Sequence, residues 1–238
     1  MKPPALPLAL LALCACSSDR REEPAARTPA SSQPSAQALP PGALLRLDLE
    51  GLPHGAPPAG WWVAETLGAG TPAIWSVRAA PGGGNALHVA TDNEGGTFNL
   101  LLAPQPFPAD LELSVRVRAD SGQEDRGGGL VWRAEGPDDY YIARWNPLER
   151  NVRVYLVERG VRKLLQSADI DTAAGEWHTL TVSMIGDRMS VALDGAPLLD
   201  TTDPTFDEGG RIGLWTKADA ATWFDDLSVR EPPRPAER

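Results

Sequence analysis

The chain has 238 residues, 42% of them hydrophobic, and a formal net charge of −10. That length admits one large β domain or two small ones, with apolar content for a sizeable core. The acidic balance argues against a general nucleic-acid binder, which carries an electropositive footprint, and no apolar run long enough for a membrane-crossing helix follows the N-terminus.

The first residues read as a leader. Met1–Lys2 is a short basic start and Ala5 to Leu13 an apolar stretch of signal type. Leu13-Cys14-Ala15-Cys16-Ser17 follows, and both cysteines of the chain lie in it. This run resembles the lipobox of bacterial lipoproteins. Small Ala15 precedes Cys16 whereas bulky Leu13 precedes Cys14, so Cys16 is the expected lipidation site. The mature domain then has no disulfide and stands on its core. Ser17, rather than Asp, implies by the same resemblance an extracytoplasmic, lipid-anchored protein of the outer membrane. Residues 17–42 are rich in Ser, Ala, Pro, Arg, Glu and Gln without apolar periodicity, which predicts a disordered tether. Residues 231–238 read as a disordered tail, which leaves 43–230 as the folded part.

Strand signals fill that part. Leu44 to Leu49 comes first, then a loop from Gly51 to Gly60 with three prolines. Trp61–Trp62 and Trp75–Val77 read as short strands, followed by Ala86 to Ala90 and Thr97 to Leu102. In Leu111 to Ala119 the alternation sends Leu111, Leu113, Val115 and Val117 inward. Residues 120–128 form a polar loop. Three strands rich in β-branched and aromatic residues follow, Gly129 to Ala134, Tyr140 to Asn146 and Asn151 to Glu158. Val161 to Ser167 is next. Trp177 to Ile185 and Arg188 to Leu193 are joined by Gly186–Asp187, a hairpin signal. Asp194–Gly195 leads to Pro197 to Asp200, and Asp203 to Gly210 is a loop. Arg211 to Thr216 and Trp223 to Val229 close the domain. Many short strands, no amphipathic helix and no internal repeat predict an all-β, two-sheet antiparallel β-sandwich.

Period-two alternation sorts the central residues into two faces. Trp132 and Trp145 fall on the core face, and Trp177 and Trp223 are also assigned to packing. Arg133, Tyr140, Arg144, Asn146, Arg153 and Tyr155 fall on the other face, with Trp215 and Lys217 on the non-core parity of their strand. These eight form the expected ligand-binding set on an open surface, basic and aromatic in an acidic protein. Metal-ligand spacing is missing around His54, His88 and His178. Asp48 or Glu50, near the first strand, and Asp225 or Asp226, near the last, supply oxygens for an expected structural calcium ion.

Four stretches together resemble a known family: QEDRGGGLVWR (123–133), DDYYIARWNPLERNVRVYLVERGVRKLL (138–165), GEWHTLTVSMIGDRMSVALDGAPLL (175–199) and FDEGGRIGLWTKADAATWFDDLSV (206–229). They are similar to the concanavalin A-like, laminin-G-like or lectin/glucanase domains labelled 3-keto-disaccharide hydrolase-like. The resemblance implies a jelly roll that binds a glycan or sugar conjugate; the domain is expected to be monomeric and to require no cofactor. The Glu-x-Asp-x-x-Glu motif of laminarinase-type glucanases is missing, which disfavours ordinary glycoside hydrolysis. For 3-keto sugars the resemblance implies a base, with Glu149 or Asp139 as candidates, and an oxyanion stabiliser, with Arg133 and Arg144 as candidates. Tyr140 is the candidate proton donor. The alternative is a non-catalytic surface module of laminin-G-like adhesion type.

Overall fold

The computed structural model describes residues 39–232. Cys16 and most of the expected tether and tail lie outside them. Fifteen strands follow one another: β1 (Ala43–Arg46), β2 (Trp62–Glu65), β3 (Ile74–Ala79), β4 (Asn85–Ala90), β5 (Phe98–Phe107), β6 (Leu111–Ser121), β7 (Gly128–Ala134) and β8 (Tyr140–Asn146). They continue with β9 (Asn151–Glu158), β10 (Val161–Asp169), β11 (His178–Ile185), β12 (Arg188–Leu193), β13 (Ala196–Thr202), β14 (Gly210–Lys217) and β15 (Ala221–Arg230). One sheet has the order β13-β12-β11-β6-β15-β4-β3, with β1 alongside β15; the other has the order β10-β9-β8-β7-β14-β5-β2. Neighbouring strands are antiparallel throughout, so the fold is the predicted two-sheet sandwich. The first strand meets the last, with Ala43 opposite Arg230.

The alternation explains the core. Val115 of β6 lies opposite Leu180 of β11. Both enter the space between the sheets together with Leu111, Leu113, Val117, Trp132 and Trp145. β5 runs beyond its predicted end, through Pro104 and Pro106, where its register with β14 shifts. A proline is tolerated there because the irregular pairing needs no N–H from it.

Two features depart from the sequence reading. The period breaks at Arg133, whose φ of 47° is left-handed. The β7–β14 register also shifts here. As in a bulge, the strand is re-aimed: Trp132 faces the inter-sheet core while Ala134 joins the opposite face. The second departure is that this opposite face is not open. Phe98, Leu100, Leu102, Val131, Tyr140, Ile142, Tyr155, Val157 and Trp215 pack there as a second buried cluster. The sheet curls until its diagonal corners meet over them. Thr66 Oγ1 donates to the Pro137 carbonyl at 2.8 Å, and the Leu67 N–H donates to Asp138 Oδ1 at 2.5 Å. The Gly160 N–H reaches the Asp138 carbonyl at 2.8 Å. Strand curl is a property of the whole sheet, which is why a per-strand periodicity does not reveal it.

Candidate functional site

Beside that apolar filling, the curled sheet holds a charged cluster. Cross-strand pairing places Arg144 of β8 opposite Arg153 of β9. Arg144 is 1% exposed, and its Nη2 donates to Glu149 Oε2 at 2.7 Å. Arg153 Nη1 reaches the same oxygen at 2.9 Å. The Tyr155 hydroxyl accepts from Arg144 and Arg153 at 3.4 Å each. Arg162 of β10 lays its guanidinium over the rings of Tyr155, Phe98 and Trp215, at 4.4, 4.9 and 5.9 Å. Asp125, 1% exposed, enters from the loop before β7 and accepts from Asn146 Nδ2 at 2.9 Å. Lys217 Nζ stands 3.4 Å from Asp125 Oδ2, an ion pair without hydrogen-bond geometry.

Four cations thus face two carboxylates. Several of their atoms are buried without a partner: Arg144 Nε and Nη1, Arg162 Nη1 and Asp125 Oδ2. Buried polar groups are normally satisfied, so such orphans ask for an explanation, and a ligand that accepts from the guanidiniums and donates to the carboxylate supplies one. Burial pushes the Asp125 carboxyl above the ordinary aspartate value, against the opposing pull of Arg144 and Lys217. Burial alone would raise Glu149 too, but the hydrogen bond and charge of Arg144, with Asn151 and Arg153, hold it below its ordinary value. Tyr155 behaves likewise: burial would raise it, and Arg144, Arg153 and Arg162 bring it below the ordinary tyrosine value. The cluster therefore pairs a carboxylate of raised basicity with a phenol of raised acidity. Glu149, Arg153 and Lys217 are its more accessible members. Glu149 also lines a surface depression of about 420 Å³ shared with Arg150, Asp169, Ile170 and Asp171.

Of the expected binding set, Arg144, Asn146, Arg153, Tyr155 and Lys217 come together here. Arg133 does not. Its bulge turns the guanidinium onto the carbonyls of Ala109, Phe206 and Gly186, at 3.0, 2.5 and 2.7 Å, where it ties three loops together. Tyr140 is fully buried, hydrogen-bonded to Thr66 and Trp215, and its hydroxyl is pushed far above its ordinary value by burial, so it is not a ready proton donor. Trp215 is no open stacking platform, being 0% exposed beneath Arg162 and Phe98. Asp139 accepts the Arg159 N–H at 2.7 Å and braces a turn away from the cluster. Glu149 is in place, but two guanidiniums occupy it, which suits a holder of arginines better than a base.

The four carboxylates expected to hold calcium do not converge. Glu50 accepts the Asn85 N–H, while Asp225 and Asp226 face Arg116 at 3.4 Å. Among the described residues no group of three or more His, Cys, Asp or Glu is arranged around a metal position. Asp125 and Arg162 escaped the sequence reading. Asp125 sits in a polar loop whose folding back over the sheet has no periodic signal. Arg162 shares the parity of Leu164, opposite Val157, so extending the face count to the edge strand would have found it.

A model of the 3-keto-alpha-glucoside-1,2-lyase-like domain matches residues 62–230. The chain belongs to that family. In this lyase-like domain the match takes in every member of the charged cluster. Among solved structures, the carbohydrate binding module CBM66 from Bacillus subtilis is similar with a TM-score of 0.59 and 19% identity, over 72% of this chain and 96% of that one. A Bacillus subtilis protein of unknown function with a galectin-like fold gives 0.58 and 12%, over 82% and 98%. The exoplasmic/lumenal domain of VIP36, in a Ca2+/Man-bound form, gives 0.52 and 14%, over 75% and 86%. At these identities the likeness speaks for the jelly-roll fold. No match was found among curated proteins.

Proposed function

We propose that the charged cluster binds 3-keto-glycosides and cleaves them by elimination across C1 and C2. The observation that carries this reading is a buried Arg144 with two unpartnered guanidinium nitrogens, beside a carboxylate whose basicity burial has raised. A ketone at C3 acidifies the hydrogen on C2. Asp125 takes that proton, and the electron pair passes to the C3 oxygen as an enolate. Arg144 and Arg162 face the developing negative charge with donors already in place, which is where preorganised electrostatics contributes most. The enolate then restores the carbonyl, C1=C2 forms, and the C1–O bond breaks. The departing oxygen takes a proton from Tyr155, whose phenol is made more acidic by its three arginines. One C–H and one C–O bond are exchanged for a double bond and a free alcohol, so no oxidant or cofactor is consumed. The test is incubation of the purified chain with 4-nitrophenyl 3-keto-α-glucoside. Release of 4-nitrophenol together with an unsaturated ketosugar supports elimination. Binding without either product would reduce the domain to a glycan-recognition module, and neither binding nor product would remove the reading.

We further infer that the domain works outside the cytoplasm on a lipid anchor at Cys16, from Leu13-Cys14-Ala15-Cys16. Replacing Cys16 by Ser is expected to abolish incorporation of a radiolabelled fatty acid and to release the protein from membranes. Retention of label by that variant, with Cys14 intact, would count against Cys16.

A further inference from the structure

The loop that delivers Asp125 has no strand partner of its own. Residues 122–127 connect β6 to β7, and what shapes them is one carboxylate from elsewhere. Asp219 lies in the β14–β15 turn. Its Oδ2 accepts the Gln123 N–H at 2.6 Å, and its Oδ1 accepts the N–H groups of Glu124 and Asp125 at 3.0 and 3.1 Å. Three successive backbone donors thus converge on one anion, as in an anion-binding nest. The rest of the loop conforms to this clamp. Arg126 donates from Nη2 to the Gly122 carbonyl at 2.7 Å, closing the ring. Gly122 has a φ of 143°, and a Cβ there would collide with the Asp125 carbonyl, so the close approach depends on glycine. At the far end Thr222 Oγ1 holds the Gly127 carbonyl at 2.8 Å.

Lys217, the last residue of β14 before this turn, is the ion-pair partner of the Asp125 carboxylate. The end of β14 and the turn after it therefore supply both the charge that faces Asp125 and the clamp that holds its backbone. We infer that Asp219 is a positioning residue, whose three backbone contacts seat Asp125 among Arg144, Arg162 and Lys217. This rests on the role given to Asp125 above, and goes beyond it by locating what holds the reacting carboxylate in place. Asp219 meets the cluster only at the backbone N–H of Asp125 and makes no hydrogen bond to a cluster side chain, so its effect passes through Asp125.

Three contacts explain why its charge matters. Burial would raise the Asp219 carboxyl, but the N–H groups of Gln123, Asp125 and Glu124 hold it below its ordinary value, so it remains an anion wherever the protein is folded near neutrality. Removing it leaves three N–H groups to water and frees the loop. Asp125 then leaves its seat beside Arg144, Glu149, Lys217 and Arg162 and becomes hydrated.

The experiment is a 13C titration of the purified full chain carrying labelled aspartate, with Asp125→Asn used to assign the Asp125 signal. In Asp219→Ala and Asp219→Asn the Asp125 carboxyl is expected to titrate closer to the ordinary aspartate value than in the parent. Turnover of 4-nitrophenyl 3-keto-α-glucoside is expected to fall roughly a hundred-fold in kcat, the scale of an ångström-sized misplacement, with KM little changed. An unchanged Asp125 titration in a folded Asp219→Asn protein overturns the inference. Because the titration needs no substrate, it decides on Asp219 even if Asp125→Asn keeps full turnover, which would instead overturn the role of Asp125.

Discussion

Truncating Trp215 to Ala is expected to destabilise the domain by about 3–5 kcal/mol, the usual cost of removing a large buried aromatic. The indole has no exposed surface and fills the middle of the second cluster. Phe98 packs on it with ring centroids 5.4 Å apart, and Arg162 lies above it at 5.9 Å. Its Nε1 donates to the Tyr140 hydroxyl at 3.2 Å. The variant therefore loses packing, leaves a buried hydroxyl short of one donor, and strips Arg162 of part of the aromatic surface that supports its charge. The comparison is Trp62→Ala. Trp62 lies on the edge strand β2 and is 46% exposed, so its removal costs much less. Urea denaturation of the two variants beside the parent measures the difference. Equal losses would mean that the face over β14 is as open as simple alternation makes it.

The sequence showed most clearly those features that depend on neighbours along the chain. β8, β9 and β12 begin and end where the residue pattern predicts, because each is bounded by turn-forming residues. Period-two facing alone puts Trp132 and Trp145 in the inter-sheet core, where they lie. The family was legible from four stretches, and its domain does match. What stayed hidden depends on distant parts of the chain. Arg133 obeys the alternation as a letter in a string, yet a left-handed φ and a shifted register turn it away. Trp215 has the right parity for an exposed platform, yet Arg162, from a hairpin some fifty residues earlier, lies over it. Asp125 sits in a segment with no periodicity, and its backbone is held by Asp219, some ninety residues away. Arg144, Asn146, Arg153, Tyr155 and Lys217 were therefore readable as a face, whereas Asp125 reaches it through loop clamping and Arg162 through the curl of the edge strand.

The largest functional loss is expected from Asp125→Asn. A positioned general base contributes about a hundred- to ten-thousand-fold to rate, and the amide cannot take up the C2 proton. Asparagine keeps the size of the side chain and an oxygen for Asn146 Nδ2, so the fold is retained while turnover of 4-nitrophenyl 3-keto-α-glucoside collapses. In the parent, the acidic limb of the pH–rate profile should lie above the ordinary aspartate range, because the base must be ionised and burial raises its pKa. Stability is expected to change in the opposite sense. A folded-state pKa above the unfolded value, about 3.9 for aspartate, means a stabilising contribution that is present below that value and lost as pH rises through the folded pKa. The parent should thus lose ground against Asp125→Asn as pH rises from about 4 towards neutrality, since only the parent must then hold a buried, incompletely paired anion. Melting both proteins across that range checks the sign. If the parent instead gains on the variant as pH rises, Lys217 and Arg144 outweigh burial, and Asp125 serves as a fixed counter-charge with ordinary basicity.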